Sequence, residues 1–416
     1  MSDRDHGGGR PLTRRRLLMG GAAAGIGAAA AIGGSALAGS GARPAPAPEA
    51  CADPTAIGAG VEPFHGARQA GIETTPQAHA VFVALDLLAE TDRAALGRMM
   101  RVLTDDAARL TQGRPALADS EPELATVPAR LTVTFGFGPG LVERAAGPGA
   151  VPAWLRPLPA FGVDRLEDRW CGGDLLVHVA ADDPLTLAHT VRMLLKDSRT
   201  FAEVRWSQPG FRRARGAEPE GATMRNLFGQ VDGTVNPQPG TDDFDQVVWT
   251  HDGPDWLRGG TSLVLRRIHM DLDGWDRLDR AGREQSVGRT LDTGAPLTGA
   301  REHDEPDFKA TTPLGFPVIA AFAHLRRARS DDTAQRIFRR AYNYDADPAG
   351  TGGVSSSGLL FASYQADVDA QYVPLQRRLD ELDLLNEWTT PIGSAVFAIP
   401  PGCAPGEYVG QTLLGA

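Results

Sequence analysis

Lysine is almost missing from this sequence: of 42 basic residues only Lys196 and Lys309 are lysines. That skew reads as coding bias, and no function rests on it. Cysteine is scarce as well, with Cys51, Cys171 and Cys403 the only three in 416 residues, and no CxxC occurs. Three thiols cannot all pair within one chain, and a thiolate zinc site or iron–sulfur cluster is disfavoured. One disulfide stays open if the chain is exported. Positive charge is in deficit, at a formal −10. A nucleic-acid or anionic-membrane binder is usually basic, so neither is expected as a partner. Past residue 37 no stretch approaches 18 uncharged apolar residues, which argues against a membrane span in the mature chain. What is present is ordinary globular material, 42% hydrophobic and 23% charged, and this excludes a mostly disordered chain. The 49 glycines and 31 prolines follow no three-residue period, so collagen is excluded and long ordered loops are expected.

The N-terminus predicts export. Arg14 and Arg15 form a twin-arginine pair ahead of an uncharged Ala/Gly-rich run from 17 to 37, and Ala36 and Ala38 flank a small-x-small cleavage site. The Gly and Ala content and the processing site favour a signal peptide, residues 1–38, over a membrane anchor. Its removal takes away five arginines and two aspartates and leaves −13. Twin-arginine signals are receptor-read addresses. Their route carries chains already folded, often around a cofactor, so a metal or organic cofactor is expected before any site is considered.

Residues 39–75 read as a Pro/Ala/Gly-rich tether and N-terminal arm. After them, strands are predicted at 80–86, 131–138, 174–180 and 201–207, with helices at 90–111 and after Asp183 and Pro184. The pattern recurs with strands at 261–268, 358–364 and 394–400, and helices at 274–287 and 368–384. Two such series predict two α+β domains, 76–222 and 223–416, each an antiparallel sheet with helices on one face.

Four segments can carry chemistry. Asp232 sits in a run from Gly229 to Thr234 and precedes Gly233. A carboxylate beside glycine can approach a ligand closely, yet Asp-Gly is also the commonest hairpin signal, and spacing leaves both open. His324 ends an apolar stretch, as a satisfied core imidazole or as an iron ligand. Residues 336–344 hold Arg336, Arg339 and Arg340 among apolar and aromatic positions, which a solvated basic face would also produce. Residues 358–367 read as a core strand with Leu359 and Phe361, closing on Asp367 as a helix-capping acid.

Together and in this order, the four segments resemble the dye-decolourising peroxidases, and within them the exported branch that includes a bacterial deferrochelatase/peroxidase of iron uptake. The likeness runs from Phe64 to Pro400, with the GxxDG signature met in full by Gly229, Asp232 and Gly233. The resemblance implies two ferredoxin-like domains of the dimeric α+β barrel type and one haem b per chain, held in the second domain. It implies His324 as the proximal iron ligand, Asp232 as the distal acid–base residue and Arg339 as the distal arginine, with Arg340 as the register alternative. Gly229, Gly233, Leu359 and Phe361 are implied at the cofactor, and Asp367 as the acceptor for the proximal imidazole N–H. It also implies homo-oligomers.

On that reading the chain reduces hydrogen peroxide through a ferryl intermediate and oxidises dyes, phenols or other one-electron donors. Asp232 moves the proton between the peroxide oxygens, and Arg339 stabilises the charge that develops. An aspartate base, with an unperturbed pKa of roughly 4, predicts an acidic optimum. Bulky dyes cannot pass a wall of Leu359 and Phe361, so Tyr342, Tyr344, Tyr372 and Trp388 are candidates to relay electrons to the surface. The alternative is a haem-handling, iron-releasing or copper-traffic component whose peroxidase activity is incidental. Retention of Asp232 with Arg339 favours the enzyme, since a carrier needs only His324.

Overall fold

The computed structural model describes residues 57–330, 332–348, 353 and 355–415. The signal segment, Cys51 and the first part of the tether lie outside them.

Among the described residues nine strands are formed: β1 His79–Leu87, β2 Thr132–Phe137, β3 Leu175–Ala181, β4 Ala202–Phe211, β5 Thr261–Met270, β6 Phe338–Arg339, β7 Tyr342–Tyr344, β8 Gly358–Gln365 and β9 Thr389–Ile399. The helices are α1 Arg93–Leu110, α2 Pro139–Ala146, α3 Pro184–Ser198, α4 Asp242–Val248, α5 Leu272–Asp276, α6 Arg280–Val287, α7 His324–Ala328, α8 Val373–Leu382 and α9 Gln411–Leu414. In the first half the order is β4-β1-β3-β2, all antiparallel. The second half repeats it as β9-β5-β8, with β7 and β6 following one another along the far edge of β8. This is the ferredoxin-like order twice over, as expected from the sequence.

The two sheets do not stand apart. β2 meets β9 through Phe137 and Ala398, and β4 meets β7 through Phe211 and Asn343. With β5 paired to both β9 and β8, the strands close into a ring, which leaves few free edges. Alternation along β1 sorts the core into two layers. Val83 and Leu85 face outward beneath α1 with Leu96, Met99, Met100 and Leu103. Ala80, Phe82 and Ala84 face inward against Leu176, Trp206, Leu263, Tyr342, Tyr364 and Phe397. All seven residues of β3 are buried because both its faces are covered.

Local chemistry sets the helix ends. Asp92 caps α1 by accepting from the Ala95 N–H, and Asp183 caps α3 from Thr186, with Pro184 in the first turn. The helix predicted over 274–287 is two: Asp271 caps α5 and Asp279 caps α6, each accepting an N–H of the new turn. The helix predicted from 368 opens with a π turn, Val368–Tyr372, and α8 begins as a separate segment carrying Pro374 in its first turn.

An acid pair between α1 and α3, Asp106 buried and Asp197 half-buried, makes stability pH-dependent. Asp106 is buried on α1 and accepts the Leu117 N–H at 2.8 Å. Burial first, then the hydrogen bond and charge of Asp106, push the Asp197 carboxyl up to about 7 from 3.8. Between those values the folded chain holds a proton that the unfolded chain has released, so stability falls as pH rises from about 4 to about 7 and then levels off. Asp197→Asn is expected to raise Tm at pH 8 and to leave it nearly unchanged at pH 4. Equal shifts at both pH values in a thermal melt would contradict this.

Candidate active site

Asp232 stands at the end of a tight hairpin. Arg225 pairs with Val231, the Asp232 N–H donates to the Met224 carbonyl at 2.8 Å, and the turn closes from Gly229 N–H to the Asn226 carbonyl. Asn226 also accepts the Phe228 and Gln230 N–H groups on Oδ1. Gly229 has φ +76°, the left-handed value such a turn needs, and Gly233 has φ +133°, which strains any side-chain-bearing residue. The Asp-Gly pair is therefore not the turn of the hairpin, which Asn226–Gly229 makes; it follows the paired strands, and the hairpin presents the acid.

Both carboxylate oxygens of Asp232 are met by donors. Arg339 Nη1 reaches Oδ1 at 3.0 Å, and Asn226 Nδ2 approaches Oδ2 at 3.3 Å. The arginine is delivered by β6, a strand the sequence did not announce. Arg340, the register alternative, is fully buried and points the other way, to the Thr74 carbonyl and to Gln77 Oε1 at 2.6 Å. Only Arg339 of the two reaches Asp232.

His324 opens α7, half-exposed, with Nδ1 at 2.5 Å from Asp383 Oδ2. Burial alone would lower the proton affinity of the imidazole, and the Asp383 carboxylate reverses this by charge and hydrogen bond, so its pKa is raised. The bond occupies Nδ1 and leaves Nε2 as the ring nitrogen for a ligand. This corrects the expectation for Asp367. That acid accepts the Ala370 N–H at the start of the π turn and makes no contact with His324. Asp383 makes the contact with His324 because α8 packs against α7 and ends there, while its Oδ1 accepts the Leu385 N–H at 3.0 Å. Nothing in the sequence around 383 separates it from other helix-end acids.

Asp232, Gly233, Arg339, His324, Asp383, Leu359 and Phe361 all border one cavity of about 420 Å³, within the usual range for a small-molecule or cofactor site. Gly229 and Asp367 are not on its wall. The outward face of the second sheet supplies Ile268, Met270, Leu359 and Phe361, and α8 supplies Leu375 and Leu379. Arg289, Arg329 and Arg336 also reach the wall. Arg329 is paired with Glu305 at 2.6 Å, and Arg336 with Asp243. Among the described residues no group of three or more His, Cys, Asp or Glu converges on a metal ion. A lone imidazole over an apolar slot with arginines beside it suits a flat macrocycle that brings its own equatorial ligands and carboxylates. The residues present therefore fit a haem.

Comparison with known proteins agrees on one family. The family model for the N-terminal part of Dyp-type peroxidases matches residues 69–212, and that for the C-terminal part matches 223–404. A dye-decolorizing peroxidase of Thermobifida fusca is 40% identical over 362 residues, 84% of each chain. The deferrochelatase of Escherichia coli K12 is 35% identical over 373 residues, 85% of this chain and 87% of that one. Among solved structures, a DyP-type peroxidase of Cellulomonas bogoriensis superposes with a TM-score of 0.84 at 58% identity, covering 86% of this chain and 99% of its own. Another, from Streptomyces coelicolor, gives 0.84 at 40%, covering 88% and 100%.

Proposed function

The chain belongs to the Dyp-type peroxidase family of haem-dependent enzymes, and on that premise we propose that it is an exported haem b peroxidase that oxidises dyes, phenols and similar one-electron donors. The observation that carries the reading is the pair of polar contacts on one cavity: Asp232 with Arg339 at 3.0 Å, and His324 with Asp383 at 2.5 Å. His324 Nε2 would hold the iron, and Arg329 and Arg336 would hold the propionates in exchange for their acid partners. Bound haem would supply the centre at which peroxide is reduced and would hold the two oxidising equivalents that donors then cancel one electron at a time. Asp232 takes a proton from one peroxide oxygen and delivers it to the other, so that water leaves. The Arg339 guanidinium offsets the negative charge that develops on the departing oxygen and orients the carboxylate between transfers. Leu359 and Phe361 exclude water and bulky molecules from that space.

Large donors must then react at the surface. Of the four aromatic candidates, Tyr342, Tyr344 and Tyr372 are buried to within 3%. Trp388 is half-exposed and packs edge-on against buried Trp275 at 5.3 Å, and Trp275 stacks on the cavity residue Phe228 at 4.3 Å. Trp388→Phe is expected to lower turnover of a bulky anthraquinone dye several-fold while leaving a small phenol unaffected. Equal loss on both would remove Trp388 from the relay.

The defining experiment is to load the purified chain with haem and to follow peroxide-dependent dye and phenol oxidation beside any iron release from haem. Rapid oxidation without iron release supports the enzyme. Iron release with slow oxidation would favour the second reading, which the E. coli deferrochelatase likeness motivates. Export rests on Arg14 and Arg15, outside the described residues. Changing both to lysine is expected to leave the unprocessed precursor in the cytoplasm, as fractionation would show.

A further inference from the structure

Asp232 and Arg339 are 107 positions apart in the chain, and one side chain ties their segments together. Asn236 lies four residues after Asp232, its N–H donating to the Gly233 carbonyl at 3.0 Å. Its amide then engages the main chain of Arg339 twice. Nδ2 donates to the Arg339 carbonyl at 2.7 Å, and the Arg339 N–H donates to Oδ1 at 3.0 Å. That is the paired exchange an adjacent antiparallel strand would make. β6 is the terminal strand of its sheet edge, so among the described residues this N–H and carbonyl have no strand beside them. Asn236 stands where that strand would be.

The consequence is a closed loop of contacts. From Asp232 the chain runs to Asn236, the Asn236 amide holds the main chain of Arg339, and the Arg339 guanidinium returns to Asp232 Oδ1. We propose that Asn236 is a positioning residue for the distal pair, fixing the backbone of Arg339 so that its guanidinium lies beside the Asp232 carboxylate. Few side chains can do this. A primary amide carries a donor and an acceptor at the spacing of a peptide group, whereas an ionised carboxylate only accepts. Edge stability alone would not require the partner to come from the acid's own loop. This inference rests on the reading of Asp232 and Arg339 as the distal pair.

The test uses the haem-loaded enzyme and separates two steps. Asn236→Ala is expected to slow the absorbance change on mixing with hydrogen peroxide at least several-fold, and to leave the KM for a small phenol and the haem content unchanged. Isosteric Asn236→Asp, which keeps the acceptor and loses the donor, is expected to slow the peroxide step and serves if the alanine variant folds poorly. The deciding arm is a double-mutant cycle. In an Arg339→Leu background, adding Asn236→Ala should slow the peroxide step no further, because the residue acts only through Arg339. An undiminished effect of Asn236→Ala in that background, or an unchanged peroxide step in both single variants, overturns the proposal. If Arg339→Leu alone reacts at the wild-type rate, the failure lies with the reading of the distal pair instead.

Discussion

Asp232→Asn is expected to slow the reaction with hydrogen peroxide by about 10²–10⁴-fold, the usual scale for losing a positioned acid–base group, and so to add about 3–5 kcal/mol to that barrier. The substitution is nearly isosteric. Asn226 and Arg339 sit 3.3 and 3.0 Å from the two carboxylate oxygens, and an asparagine can still receive one of them on its oxygen. Its amide nitrogen cannot accept from the other, and it cannot take up a proton. The fold and the cavity should therefore persist, and haem content should match wild type. Stopped-flow absorption after one equivalent of peroxide reads the step directly. A slow peroxide step with normal haem content places the proton transfer on Asp232. A wild-type rate would mean that another base serves, and the arrangement of this site would need a different account. Arg339→Leu should also slow the step, by electrostatics and by freeing the carboxylate, and its effect should not add fully to that of Asp232→Asn because the two groups are in contact.

How much of this was legible in the sequence differs from element to element. Strands β1, β3, β5 and β8 lie within a residue or two of their predicted places because each is an apolar run with both faces covered. Asp183 and Pro184 announced α3 for the same local reason, a cap followed by a residue with no N–H to satisfy. β6 and β7 were not legible. They are two and three residues long and are interrupted by Arg340, whose buried charge reads as surface. Their conformation is imposed by pairing along β8, which is tertiary information. Likewise, joining of the two sheets rests on single pairs, Phe137 with Ala398 and Phe211 with Asn343, too few to leave a pattern. At the site, Asp232, His324 and Arg339 were found through motif and resemblance, and all three border the cavity. The partners that fix them, Asn226, Asn236 and Asp383, were not. Each is an ordinary turn or helix-end residue by local chemistry, and its second duty depends on what folds against it.

Asp383 shows the difference most sharply, and it yields the second large expected effect. Both of its oxygens accept: Oδ2 faces His324 Nδ1 at 2.5 Å, and Oδ1 takes the Leu385 N–H at 3.0 Å. With Asp383→Asn there is one acceptor for two donors. If the amide oxygen serves Leu385, the amide NH₂ faces Nδ1 and requires that nitrogen to be unprotonated. The imidazole proton then moves to Nε2, the nitrogen proposed to face iron, where a neutral ligand must be bare. If the amide turns the other way, the half-buried Leu385 N–H meets an NH₂ group and loses its acceptor. Either outcome weakens the proximal ligand, and loss of such a supporting partner typically costs about 10–100-fold in affinity or activity. Asp383→Asn is thus expected to lose haem faster to a scavenging apoprotein and to raise the iron reduction potential, since the imidazole becomes a poorer donor. Asp367→Asn is the control. That carboxylate only caps the Ala370 N–H, asparagine caps nearly as well, and haem retention and potential should stay at wild-type values. If Asp367→Asn shifted the potential and Asp383→Asn did not, the proximal assignment drawn from the geometry would be reversed.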